Sequence, residues 1–513
     1  MSQLVDQQVG SQPALDAEAL VGQAVARARA AQPSWAATPV AERMRVIARF
    51  REALVRRRHE VAQVVSDEIG RSAVGALIMD VLVTLEFVAW TQAKTPRFLR
   101  ARWRRLPGAL FARKRVREEK LPLGVVGIIT PWNYPFFMPA SCALPALATG
   151  NAVVLKPSEL TPRGGAILGE LFREAGLPDG VLQVVQGDGR VGAALARADI
   201  DKMFFTGSVT SGRKVAEACA ARLVPCSLEL GGSDPAIVLA DADLQHAADG
   251  ICWSRFANAG QTCVAAKRVF VEASVYDEFL RRLKTSVESV RVGAPTRDVG
   301  IEIGPLIHDA AADQIGGQLG DALAKGAQVY AQAAAPPRAD GAFFPPTVIT
   351  GVDDSMRVMR EETFGPLLPV IKVRDADEAI ARANDSLFGL SASVWTRDRA
   401  RAAALARRLQ CGTVMVNDAS SVVGAPDVAY GGVKQSGIGR AHGMAGLEAC
   451  VRSTAVADDL FTGWRQPWWY HYGAKRLAQL DDYVEFAHGN SLWRRLRAIP
   501  GVLRMVFSSK EDA

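Results

Sequence analysis

A chain of 513 residues is longer than one hydrophobic core serves, so two or three domains are expected. Hydrophobic residues make up 49% and charged residues 22%, the balance of a soluble globular protein. The formal charge of +7 gathers in 97–117 and in Arg494, Arg495, Arg497 and Arg504, without an RNA-binding or helix-turn-helix signature, which argues against nucleic acid.

The first residues, 1–16, are polar and lack a basic start followed by an apolar core, so no secretory leader is expected. Apolar residues at spacings of three and four predict long helices over 17–70 and 72–95, with Arg56, Arg57 and Arg58 on the wet side. Over 99–122 the period shortens to alternation, which predicts a hairpin. The stretch 121–155 holds no charged side chain, but Pro122, Pro131, Pro135, Pro139 and Pro145 would interrupt a membrane-spanning helix. Buried strand, turn and buried helix is the better account of it. Short β-rich runs at 124–129, 152–155, 181–185 and 202–205 then alternate with Ala-rich helical segments, as in a doubly wound parallel sheet. A second alternating series runs from Pro235 to Tyr430, with strands at 236–239, 268–271 and 368–373. The fold class predicted is therefore α/β, with two doubly wound domains in series.

Seven cysteines, odd in number and without metal spacing, point to a reducing, cytoplasmic setting with neither a disulfide framework nor a zinc site. Cys142, Cys219, Cys252 and Cys450 sit among apolar neighbours and read as core. Cys263 differs, lying in the polar, Gly-containing segment Asn258-Ala259-Gly260-Gln261-Thr262-Cys263. Upstream, Glu229 stands in Leu228-Glu229-Leu230-Gly231-Gly232, and Asn133 in the rigid turn Thr130-Pro131-Trp132-Asn133-Tyr134-Pro135. A thiol, a carboxylate and a side-chain amide are the nucleophile, general base and oxyanion donor that covalent chemistry at a carbonyl needs. The six histidines show no ligand spacing, so no metal is expected.

Gly187-Asp188-Gly189-Arg190-Val191-Gly192 fits G-x-G-x-x-G between a strand and a helix, but the acid expected about 20 residues on is missing. Two other segments suit a dinucleotide better. Phe205-Thr206-Gly207-Ser208 follows a strand and opens a helix with small residues, so backbone donors can face a pyrophosphate. Lys156-Pro157-Ser158-Glu159 ends a strand with a cation and a carboxylate able to reach ribose hydroxyls.

Taken in order, these segments, with Glu361-Glu362-Thr363-Phe364-Gly365-Pro366 and Gly431-Gly432-Val433-Lys434-Gln435-Ser436-Gly437, resemble the aldehyde dehydrogenase superfamily over residues 20–455. The resemblance implies that Cys263 attacks the aldehyde, that Asn133 and the Cys263 backbone N–H hold the oxyanion, and that Glu229 activates the water that hydrolyses a thioester. It implies a nicotinamide dinucleotide held by Trp132, Lys156, Ser158, Glu159, Gly207, Ser208, Leu230, Glu362 and Phe364, with Gly187 packing near the adenine. NAD is expected over NADP, because the Glu159 carboxylate would accept a 2′-hydroxyl and repel a phosphate. The implied organisation is a dinucleotide-binding domain over 1–98 and 123–231, a catalytic domain over 232–430, a bridging segment over 99–122 and 451–463, and a C-terminal extension over 464–513. A homodimer or homotetramer that exchanges the 99–122 hairpin is also implied.

Tyr430 departs from the family pattern by placing a hydroxyl where many members have Phe, at a position that should border the substrate mouth. The extension carries Trp464, Trp468, Trp469, Tyr470 and Tyr472, then a basic amphipathic run over 490–507 that Pro500-Gly501 should split into two helices. Packing of this tail on protein is favoured over contact with an anionic membrane surface. Trp132, Tyr134, Phe136, Phe137 and Tyr430 favour a medium or long aliphatic or aromatic aldehyde, with a succinate-semialdehyde-type activity as the alternative. Release of the thioester to coenzyme A is disfavoured by Glu229, and a non-catalytic binding protein on the same scaffold by the intact Cys, Glu and Asn set.

Overall fold

The computed structural model describes residues 16–106, 108–111, 113–295, 300–460, 466, 468–470 and 472–506. Trp464 and Phe507 lie outside them. The chain divides into two compact units, one of residues 1–96 with 122–450 and one of 97–121 with 451–513.

The helical N-terminal stretch is three helices, Ala17–Ala37, Val40–Arg56 and Arg58–Ile69. Thr38 is extended ahead of Pro39, as the residue before a proline is driven to be, so the predicted continuous helix over 17–70 breaks there. Gly70 closes the third helix in the left-handed conformation. Ser72 caps a further helical run whose middle, Leu77–Leu82, is a π-helical turn.

The strands β1 (Arg102–Arg105) and β2 (Lys114–Pro122) pair antiparallel in a three-stranded sheet of the second unit. In the first unit follow β3 (Val125–Ile129), β4 (Ala152–Lys156), β5 (Leu182–Val184), β6 (Lys202–Thr206) and β7 (Cys226–Glu229), all parallel in the spatial order β7-β6-β3-β4-β5. Helices on both faces explain why β3 and β4 carry unbroken apolar runs rather than alternation. Val126 and Ile128 pack into one core with Phe136 and Leu147, whereas Val125 and Ile129 pack into the opposite one with Val21 and Leu195.

A second sheet holds β8 (Asp234–Val238), β9 (Ala266–Glu272), β10 (Gln328–Gln332), β11 (Thr347–Thr350), β12 (Leu367–Val373), β13 (Ser391–Trp395) and β14 (Thr413–Val416), in the order β10-β11-β12-β9-β8-β13-β14. Only β10 runs against its neighbour. The chain then returns, and β15 (Gly437–Ile438) pairs antiparallel with β7 at Glu229.

The second unit is completed by β16 (Val451–Asp459), which lies beside β2, and by the helices Ala474–His488 and Leu492–Val506. Lys114 and Arg115 pair with Asp459 and Asp458 at 3.0 and 2.7 Å. The predicted split at Pro500 does not occur, and one helix runs through it. Val502, Met505 and Val506 pack against Leu480, Tyr483 and Phe486, which offsets the about 3 kcal/mol that an internal proline costs. Trp468, Trp469, Tyr470, Tyr472, Trp493 and Leu496 remain exposed.

Candidate active site

The first sheet ends its strands at one cavity of about 1040 Å³. Asn133 follows β3, Lys156 is the last residue of β4, Gly207 and Ser208 follow β6, and Glu229 ends β7. Ligands bind at such carboxyl ends because connecting loops and helix N-termini gather there. Cys263, from the loop before β9, lines the same cavity, as do Trp132, Ser158, Glu159, Leu230, Glu362 and Phe364. Gly187 does not line it. Its neighbours Gly189 and Gly192 do, on a helix whose N-terminus is capped by the Asp188 carboxylate.

The loop that presents Cys263 is strained. Asn258, Ala259 and Gly260 all have positive φ, at 55°, 55° and 74°. Such backbone persists only where its surroundings hold it. A side chain at Gly260 would lie 2.5 Å from the Gly365 carbonyl carbon, so both space and conformation require glycine. The Asn258 side-chain amide ties the loop down, donating to the carbonyls of Asn133 at 3.1 Å and Gln261 at 3.2 Å. The Asn133 amide donates to the Gln261 carbonyl at 3.0 Å. Tyr134 and Thr262 join the two segments again through hydroxyls 2.8 Å apart.

Behind Asn133 lies a buried ion pair that sequence reasoning missed. Arg71 pairs with Asp80, and their side chains are 2% and 0% exposed. Arg71 also donates to the Asn133 carbonyl at 2.6 Å and to Asn258 Oδ1 at 3.2 Å, and its guanidinium lies 4.4 Å from the Tyr134 ring centre. Asp80 accepts from the amides of Phe136 and Phe137 at 3.3 and 3.0 Å. Burial raises the Asp80 carboxyl above its ordinary value, against the pull of Arg71. The π turn that carries Asp80 is the kind of helix irregularity found at functional sites. The available signal was a lone carboxylate within an otherwise apolar helical run.

Cys263 is pushed up to about 11 by burial, opposed by the Tyr430 hydroxyl and by Lys267. The hydroxyl stands 3.4 Å from the sulfur. Lys267, also missed, is a lysine inside a strand buried along its whole length. Its ammonium donates to the carbonyls of Thr262, at 3.2 Å, and Cys263, and lies 3.5 Å from Glu362. Glu362 accepts from the Gly232 amide at 3.1 Å, and a side chain at Gly231 would meet its carboxylate at 2.2 Å. Bare backbone at Gly231 therefore lets Glu362 close over this turn. Phe364 meets Trp132 edge to face at 5.8 Å.

Glu229 is 5% exposed, and among the described residues neither carboxylate oxygen makes a hydrogen bond of ordinary geometry. Burial holds it well above the ordinary carboxylate range, opposed by the charge of Arg440 and by the Ala441 amide. A carboxylate raised in this way is a stronger base than an exposed one, as a general base requires. Lys156 and Glu159 form an ion pair at 2.8 Å, and Ser208 caps the helix Val209–Ala220, accepting from the Ser211 amide at 3.2 Å. The lysines and arginines of the lining are Lys156, Arg197 and Lys214, all from β4 or helices of the six-stranded layer. The wall made by Ile78, Met79, Val83, Trp253 and Val423 is apolar. No group of three or more His, Cys, Asp and Glu suited to a metal occurs among the described residues.

The arrangement has counterparts of known kind. Residues 3–456 match the model of the aldehyde dehydrogenase family. The 4,4′-diapolycopene aldehyde oxidase of Methylomonas sp is 37% identical over 92% of this chain and 88% of its own length. A Mycolicibacterium smegmatis protein, provisionally named a succinate-semialdehyde dehydrogenase [NADP(+)], is 40% identical over 85% of this chain and 84% of its own. The crystal structure of Mycobacterium tuberculosis aldehyde dehydrogenase complexed with NAD+ superposes with a TM-score of 0.82, at 35% identity, over 87% of this chain and 91% of that one. With a family match over nearly its whole length and relatives this similar, the chain belongs to the aldehyde dehydrogenase family.

Proposed function

We propose that the protein oxidises an apolar aldehyde to its carboxylic acid with NAD(P) as the oxidant. The observation that carries this reading is the meeting of Cys263, Asn133 and Glu229 on one cavity whose further wall, at Ile78, Met79, Val83, Trp253 and Val423, is apolar. The sulfur of Cys263 adds to the carbonyl carbon, and the oxyanion is held by the Asn133 amide and the Cys263 backbone N–H. Loss of hydride from this thiohemiacetal leaves a thioester on Cys263. Glu229 takes a proton from water, whose oxygen adds to the thioester and releases the acid and the thiol.

The cavity suits a dinucleotide. Small residues at Gly189, Gly192 and Gly207 leave room along it, and the helix that Ser208 caps turns its N-terminus to it. Lys156, Ser158 and Glu159 would hold the adenosine ribose, and Glu362 the nicotinamide ribose, with Trp132, Leu230 and Phe364 around the ring. When bound, the nicotinamide supplies the hydride acceptor. Glu159 favours NAD over NADP, whereas the Mycolicibacterium relative is named for NADP(+).

The test is NADH formation at 340 nm across aldehydes of increasing chain length and with succinate semialdehyde, for the parent and for Cys263→Ser. The reading predicts the highest kcat/KM on long apolar aldehydes and none for the variant. Preference for succinate semialdehyde would support the second reading, which the Mycolicibacterium relative's name favours. The apolar wall speaks against it, because a second carboxylate there would meet no cation. For the exposed aromatic side chains of the second unit, the proposal is burial between subunits of a homodimer or homotetramer, which light scattering tests.

A further inference from the structure

We propose that the Tyr430 hydroxyl is a catalytic group, donating a hydrogen bond to the Cys263 sulfur and holding it as the thiolate that attacks the aldehyde. The inference rests on the reading of Cys263 as nucleophile and assigns it a partner. The hydroxyl is 3.4 Å from the sulfur, and among the described residues the sulfur is its hydrogen-bond partner. Tyr430 is 3% exposed, so its hydroxyl is largely withdrawn from bulk solvent.

The ring has little freedom to leave. Its backbone exchanges both hydrogen bonds with Ala441, at 2.9 and 2.8 Å. Its face stacks on the His442 imidazole, 5.3 Å between centres and 20° between planes. His442 is locked in turn against Phe87, edge to face at 4.6 Å. Val264 and Leu390 fill the remaining side. A hydroxyl fixed in this way pays no reorganisation when charge arises on the sulfur.

The direction of the hydrogen bond follows from the surroundings. Burial and the nearby Cys263 and Glu229 hold the Tyr430 phenol well above its ordinary value, so it keeps its proton and donates. His442 is pushed down to about 3 by burial and stays neutral. Lys267 also favours the thiolate, while Glu362 and Asp234 oppose it. Replacing tyrosine by phenylalanine leaves the ring, its stack and its backbone pairing in place and removes one donor. A hydrogen bond to a charged group corresponds to about one to two units in the acidity of the thiol.

The experiment is alkylation of Cys263 by iodoacetamide in the full-length protein, followed by peptide mass spectrometry across pH, for the parent and Tyr430→Phe. The half-ionisation point is expected to rise by about one unit or more, so alkylation near neutral pH slows about tenfold. Turnover by the variant should fall by a similar factor and recover as pH is raised, while NAD affinity and the unfolding temperature stay near those of the parent. Recovery with pH is a response that loss of packing would not give. An alkylation profile unchanged in Tyr430→Phe overturns the inference, even if Cys263→Ser is inactive. Full activity of Cys263→Ser would instead overturn the reading beneath it.

Discussion

Arg71 offers the sharpest mutational test of how the site is held together. Its guanidinium reaches Asp80, the Asn133 carbonyl and Asn258 Oδ1 at once, from a side chain only 2% exposed. Arg71→Met keeps the apolar stem and removes every one of these bonds. Asp80 is left as a buried carboxylate with two backbone amides for company. Breaking a buried pair from one side costs about 3–5 kcal/mol. At about 2.1 cal/mol/K per residue, that is a fall of roughly 4–6 °C in unfolding temperature for a cooperative unit of about 400 residues. The Asn133 turn also loses its anchor, and a displaced oxyanion donor costs about 100-fold in turnover. The assays are calorimetry and steady-state kinetics on Arg71→Met, Asp80→Leu and the double variant. The double variant removes the stranded charge, so it should regain much of the lost stability while turnover stays low. Recovery of turnover together with stability would refute the assignment of Arg71 as the residue that positions Asn133.

Two further expectations concern the carboxylates. Burial raises Glu229, so the folded protein holds this proton more tightly than the unfolded chain, and the group's contribution to stability declines as pH climbs from the ordinary carboxylate range through the raised value. Glu229→Gln should therefore match the parent in unfolding temperature near pH 4 and exceed it increasingly towards neutral pH. Parallel curves from differential scanning fluorimetry would contradict that. Glu159→Gln should raise the NADP-to-NAD ratio of kcat/KM about fivefold, the effect of removing a repulsion of about 1 kcal/mol at an exposed site. An unchanged ratio would place the selectivity elsewhere.

The parallel strands were legible because β3, β4, β6, β8 and β9 are covered on both faces and so carry short unbroken apolar runs, a local property. Helix ends were less so. Pro39 stops a helix, whereas Pro500 does not, since tertiary packing around Val502 and Met505 decides the second case. Cys263, Glu229 and Asn133 stood out in sequence by residue type and glycine-rich setting, and they line one cavity. Arg71 and Asp80 did not stand out, because what marks them is a contact to Asn133 and the following amides across more than fifty residues of chain. Lys267 reads as one more strand residue until the strand is seen to be buried on both faces. Of the glycine pattern that begins at Gly187, the second and third glycines, Gly189 and Gly192, line the cavity and the first does not, a distinction the pattern itself does not carry.

The claim that everything else depends on is a covalent acyl group on Cys263. Glu229→Gln, mixed with NAD and a long-chain aldehyde such as dodecanal and quenched within the first turnover, should show one equivalent of NADH per active site. The peptide that carries Cys263 should gain the mass of the acyl group, while Cys263→Ser gives neither. NADH formation without that adduct, or an adduct on another cysteine, would contradict the account.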